Sequence, residues 1–122
     1  MDLNFYADPG LAPKPRSEIR IETLTVTPYP DGRRVRVEIA LTPFAPSDRP
    51  NLEMSATRQD GEQAGSVSII EAAQRLLSLT MHLRDAEPSG AYTLQVDLYY
   101  GEDAPQSTIT EIVEIPNNPV ES

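Results

Sequence analysis

The chain has no cysteine, no tryptophan and a single histidine, His82. Without cysteine, structural disulfides and thiolate metal sites are excluded. One imidazole cannot build a multi-histidine zinc site, and any Ser-His-Asp arrangement would have to use His82. The missing tryptophan removes the strongest stacking platform a carbohydrate site could use. Positive charge is also scarce: ten basic residues stand against nineteen acidic ones, for a net charge of −9 and a pI near 4.4. That balance argues against a nucleic-acid partner, because phosphate binding needs a basic surface. No apolar run approaches the ~20 residues that span a bilayer, so no membrane partner is expected. The opening "MDLNFYADPGLAPKPRSE" has neither a basic start nor an apolar stretch of signal-peptide length, and the expected address is the cytoplasm.

What is present fits one domain. A chain of 122 residues, 39% hydrophobic and 24% charged, lies in the globular range. Twelve prolines lie mostly at the ends and between periodic runs, which suits a turn-rich all-β domain. Residues 1–16 form a Pro-rich arm, expected to be extended, that carries Phe5 and Tyr6. Residues 17–116 carry the periodic part, and 117–122 form a tail.

The dominant period is two. "SEIRIETLTVTPYP" and "RRVRVEIALTPF" flank an Asp31-Gly32 pair, the composition of a two-residue type I′ hairpin turn. Centring the hairpin on that pair sets Pro28 against Val35, Val26 against Val37 and Leu24 against Ile39. Ile21 then meets Leu41 only if one extra residue sits near Glu22–Thr23, so a β-bulge is predicted there. "NLEMSATRQDGEQAGSVSII" repeats the device around Asp60-Gly61. It sets Met54 against Val67, Leu52 against Ile69 and Ala56 against Gly65, with Ser55–Ser66 and Glu53–Ser68 on the polar face. Registers that sort apolar from polar in both hairpins are a strong signal. "EAAQR", residues 71–75, is too short for a free helix and reads as a single helical turn in a connection.

Three further strands follow by alternation. Leu77, Leu79, Met81 and Leu83 share one face, as do Tyr92, Leu94, Val96, Leu98 and Tyr100. In the last strand Ile109, Val113 and Ile115 share a face, with Ile112 on the other. Seven strands spaced by turn signals predict an antiparallel β-sandwich. One sheet would hold the strands near 18–28, 33–43 and 76–84, and the other those near 51–58, 63–70, 91–100 and 107–115.

This layout resembles the immunoglobulin-like and fibronectin type III sandwich over about 100 of the 122 residues. The closest local match is "AEPSGAYTLQV". It is similar to the tyrosine corner of fibronectin type III domains, written Leu-x-Pro-x-x-x-Tyr-x-x-x-Val, with Pro88, Tyr92 and Val96 in place and Ala86 at the leucine position. The resemblance implies that Tyr92 buries its ring and hydrogen-bonds the preceding connection, with Gly90 allowing the bend. The tryptophans and the cysteine pair of these families are absent. The chain is also similar to small bacterial proteins of this layout, which adds no activity.

Candidate chemistry is sparse. His82 alternates with core residues and belongs on the outer face beside Thr80 and Arg84. Asp48, Asp85, Glu87, Glu102 and Asp103 lie in connections that could offer calcium ligands, but without EF-hand spacing. Arg20, Arg34 and Arg36 fall on the outer face of the first hairpin, where Thr27 opposes Arg36 and Thr25 opposes Glu38, a patch of mixed sign. In Tyr99-Tyr100 the side chains must point to opposite faces, which turns Tyr99 outward. Tyr99 could pack across strands on the outward Ile112, or the two could form an exposed apolar spot beside an edge strand. The expected function is therefore a non-catalytic Ig-like module, acting by protein–protein contact or as a spacer. Tyr99, Ile112, Phe5 and Tyr6 are its candidate contact residues, self-association is possible in principle, and no cofactor is expected. The alternative is a ligand-binding sandwich for carbohydrate or calcium.

Overall fold

The structure, a computed structural model, describes residues 12–84 and 90–115. Phe5, Tyr6, Ala86 and Pro88 lie outside the described residues. Seven strands form two antiparallel sheets: β1 (Ile21–Pro28), β2 (Arg34–Leu41), β3 (Asn51–Arg58), β4 (Gln63–Ile69), β5 (Leu76–His82), β6 (Gly90–Tyr99) and β7 (Ser107–Ile115). The sheet orders are β1-β2-β5 and β4-β3-β6-β7. This is the all-β, Ig-like sandwich that the alternation predicts, with the same strands in each sheet.

Alternation explains the core. Val35, Val37, Ile39 and Leu41 of β2 are buried, as are Leu52, Met54 and Ala56 of β3 and Tyr92, Leu94, Val96 and Leu98 of β6. The central strands present every second side chain to the opposite sheet, and these side chains merge into one hydrophobic cluster. Tyr92, 1% exposed, is among the largest fully buried side chains. Its inferred hydrogen bond to the preceding connection falls outside the described residues.

The first register holds pair for pair, including a shift between Ile21 and Thr23 where the bulge is predicted. The turn that closes it is not type I′. Of the Asp31-Gly32 pair only Gly32 has positive φ, +68°. Tyr29 and Arg34 close a four-residue loop, with the Tyr29 N–H donating to the Arg34 carbonyl at 2.9 Å and the Gly32 N–H to the Tyr29 carbonyl at 2.9 Å. Pro30 favours this outcome, because its ring holds the negative φ wanted just after the first residue of an ordinary turn. In the second hairpin the pairs from Leu52–Ile69 to Ala56–Gly65 also hold, but the ladder then slips and Thr57 meets Gln63. Arg58 and Glu62 close a three-residue loop in which Gly61 has φ +92°. In each turn the aspartate caps the residue two positions on: Asp31 Oδ1 accepts the Arg33 N–H and Asp60 Oδ1 the Glu62 N–H, both at 2.9 Å. These bonds are the main cause of the lowered carboxyl pKa of both residues.

Residues 71–75 form no helical turn. Their backbone groups bond to strand ends instead. Ala72 N–H donates to the Pro50 carbonyl at 2.8 Å, and the Arg75 carbonyl accepts the Leu41 N–H at 2.9 Å. Asn51 Oδ1 accepts the Glu71 N–H at 2.8 Å while Glu71 adopts φ +53°. Helix-forming composition yields here to the anchoring of Ala72, 1% exposed, at the sandwich end.

Candidate contact surface

The outer face of the four-stranded sheet reads as rows across β4, β3, β6 and β7. One row runs Ser68–Glu53–Asp97–Thr108 and the next Ser66–Ser55–Gln95–Thr110. The carboxylates are engaged within their rows: Ser68 Oγ donates to Glu53 at 2.6 Å, and Thr108 Oγ1 to Asp97 at 2.7 Å. Among the described residues no group of three or more His, Asp or Glu is placed to hold a metal ion. Of the loop acids, Asp48 is occupied by Arg16, whose Nε lies 3.1 Å from its Oδ1, while Asp85 and Glu87 are outside the described residues.

Tyr99 ends β6 opposite Asn51 and is half-buried. Ile112 lies opposite Thr93 and is 67% exposed. Thr93 and Tyr99 are six residues apart on one strand, or about 20 Å. Tyr99 and Ile112 therefore neither pack on one another nor make a common spot. They mark opposite ends of the same face.

Tyr100, next to Tyr99, points inward and is 6% exposed. Its hydroxyl donates to the Asp48 carbonyl at 2.7 Å, and the Arg16 guanidinium covers its ring at 4.5 Å. Burial raises the pKa of the phenol, only partly opposed by the Arg16 charge. Next to this cluster a polar hollow of about 200 Å³ is lined by Arg16, Arg49, Asn51, Glu71 and Tyr100, among others. The same end is tied together by Gln106, whose amide donates to the carbonyls of Arg16 and Ile19 at 2.9 and 3.0 Å.

His82 is exposed at the end of β5, opposite Arg34. The three arginines of the first hairpin do not gather into an anion site. Arg34 pairs with Asp31 at 2.8 Å and stacks on the Tyr29 ring at 4.3 Å, and Arg36 lies 3.6 Å from Glu38. Arg20 donates to the carbonyls of Ser17 and Ile19. Two exposed apolar side chains escape the sequence reading, Ile70 at 66% and Leu76 at 58%. The doublets Ile69-Ile70 and Leu76-Leu77 obey the same parity as Tyr99-Tyr100, and that rule would have found both.

No family model and no curated protein matches the chain. Solved structures do. The Bifidobacterium dentium β-glucuronidase complexed with coumarin-3-O-glucuronide aligns with a TM-score of 0.62 at 14% identity, over 81% of this chain and 18% of that one. The chicken interferon gamma receptor alpha chain aligns at 0.57 and 8% identity, over 80% of this chain and 51% of that one. The FMN-binding β-glucuronidase from Facaelibacterium prausnitzii L2-6 aligns at 0.51 and 21% identity, over 93% and 16%. The chain thus spans less than a fifth of those two β-glucuronidases and about half of the receptor chain. At such identities the likeness is one of fold: this is an Ig-like and fibronectin type III-like sandwich, a unit also found inside much longer chains.

Proposed function

We propose that the chain is a non-catalytic module that works through contact with protein. The observation that carries this reading is β7, an edge strand of nine residues whose outward Ile112 is 67% exposed. An isolated apolar side chain on a surface is ordinary, but one on an unpaired strand edge sits beside a row of backbone donors and acceptors. Recurrence of the fold as a small part of larger chains supports the same reading by analogy.

Cross-linking from the intact chain in cells, followed by mass spectrometry of the linked peptides, tests the proposal. Links to protein should concentrate on residues 107–115, and an even spread over the surface would sink the assignment. A second reading is favoured by the polar hollow beside Tyr100, which could take a small hydroxylated ligand. A thermal-shift screen with oligosaccharides separates the two. A protein-contact module shows no concentration-dependent rise in Tm, whereas such a rise would replace this reading with the second one.

A further inference from the structure

The polar hollow beside Tyr100 is better supplied with donors than with acceptors. Around it, Asp48 Oδ1 takes the Arg16 Nε–H at 3.1 Å, the Ser47 carbonyl takes Arg16 Nη2 at 3.2 Å and the Asp48 carbonyl takes the Tyr100 hydroxyl at 2.7 Å. The Tyr100 carbonyl accepts the Asp103 N–H at 3.0 Å, and Asn51 Oδ1 accepts the Glu71 N–H at 2.8 Å. The donors are not used up in the same way. Its two bonds and its stacking on the Tyr100 ring hold the Arg16 guanidinium in place, and the rest of its N–H groups stay uncommitted. Because Asn51 Oδ1 is engaged, its amide nitrogen is left as a donor with no partner among the described residues. Arg34, Arg36, Arg58 and Arg75 are each matched to a carboxylate. Arg49 lines the hollow and makes no ion pair among the described residues, in a chain with nineteen acidic ones. The backbone at the hollow is also strained. Glu71 has φ +53°, a left-handed conformation that is costly for a residue with a Cβ, and the bond that holds it there is the one that orients the Asn51 amide.

We propose that this hollow binds the carboxylate of a small organic acid, received by Arg49, the Asn51 amide and the uncommitted N–H groups of Arg16. Guanidinium donors lie in a planar fork that matches the two oxygens of a carboxylate, and a charged acceptor makes each bond stronger than a neutral one would. The hollow, about 200 Å³, is smaller than the pockets that hold drug-sized ligands, which limits the acid to a few carbon atoms. Asp48 already balances Arg16, and Glu71, an exposed carboxylate among the lining residues, stands against a second negative charge. A monocarboxylate is therefore favoured over a dianion such as phosphate. The site lies apart from Ile112 and goes beyond the contact reading, so either can fail alone.

Titrating the intact, nitrogen-15-labelled chain with sodium acetate, against sodium chloride at equal ionic strength, tests the proposal by NMR. Saturable shifts should appear at the Asn51 side-chain amide and at the Arg16 and Arg49 Nε–H resonances, and chloride should not reproduce them. Arg49→Gln should weaken acetate binding at least tenfold, with the resonances of the β-strands unchanged. Arg49→Lys, which keeps the charge but loses the fork, should weaken it by less. Glu71→Gln should tighten acetate binding severalfold and admit phosphate. Shifts that chloride reproduces, that grow without saturating or that survive Arg49→Gln overturn the proposal. So does weaker binding in Glu71→Gln, because the ligand would then be using Glu71 as an acceptor. Equal shifts with maltose overturn it too, and assign the hollow to a hydroxylated ligand. Acetate binding that persists while protein cross-links spread evenly over the surface supports this site and removes the contact reading alone.

Discussion

Along one side of the sandwich, β4 runs against β5. A methyl group on Gly65 would sit 3.0 Å from the His82 carbonyl and 3.2 Å from the Met81 sulfur, and the Arg84 N–H reaches across to Ala64. Along the other side, β1 runs beside β7: the Ser107 hydroxyl accepts the Ile21 N–H at 3.0 Å and Gln106 ties down Arg16 and Ile19. At the far end of β7 a methyl group on Gly32 would sit 3.9 Å from Ile115, so β1 follows β7 along this flank. One side is closed by backbone proximity that only a missing side chain permits. The other is closed by β1 lying along β7, tied at one end by side-chain hydrogen bonds. A sandwich can thus close its two flanks by different means.

The largest effect that would break this contrast lies within β7 itself. Ile115 is 1% exposed and Ile112 is 67% exposed, three residues apart on one strand. Ile115→Ala should cost about 2–5 kcal/mol in urea unfolding, the usual range for a truncated core isoleucine. Ile112→Ala should stay within about 0.5 kcal/mol. Similar losses at both positions would mean that Ile112 is covered after all.

Next comes the β4/β5 flank. Gly65→Ala should destabilise by about 1–3 kcal/mol, because the nearest atom to the new methyl is a backbone carbonyl that cannot swing aside. A neutral result would show that the β4/β5 approach is looser than its geometry.

The smallest effect concerns the tied end of the β1/β7 flank. Tyr100→Phe removes the bond to the Asp48 carbonyl and should cost about 0.5–1.5 kcal/mol. The phenol carries a signature of its own. Burial raises its pKa in the folded chain above 10.0, so its contribution is complete below pH 10 and is lost as the pH climbs through the raised value. Alkaline destabilisation should therefore be steeper in the parent chain than in the Phe variant, and parallel pH curves would contradict the burial argument.

Much of the fold was legible because alternation is a local property. Leu52, Met54 and Ala56 must share a face whatever surrounds them, and two hairpins with Asp-Gly centres then have registers that can be counted. The turn types were not legible in the same way. Pro30 imposed a four-residue loop, and the slip at Thr57 redistributed the residues around Asp60 without disturbing the inner pairs. The helical composition of 71–75 lost to bonds from Pro50, Asn51 and Leu41, partners roughly twenty or more residues away in sequence.

For the contact surface the division is similar. Parity alone turns Ile112 outward and Tyr100 inward, because successive side chains on a strand must alternate. That Ile112 sits far from Tyr99 depends on the β6–β7 register, and so on how the 100–106 loop closes. That Tyr100 is held by Arg16 and Asp48 depends on three separate segments converging at one end of the sandwich. The amino-acid sequence by itself determined which face each side chain takes, since a period of two needs only one buried side. Only the tertiary structure decided how each flank is closed, since strand order and close approach arise from contacts between segments that no local pattern encodes.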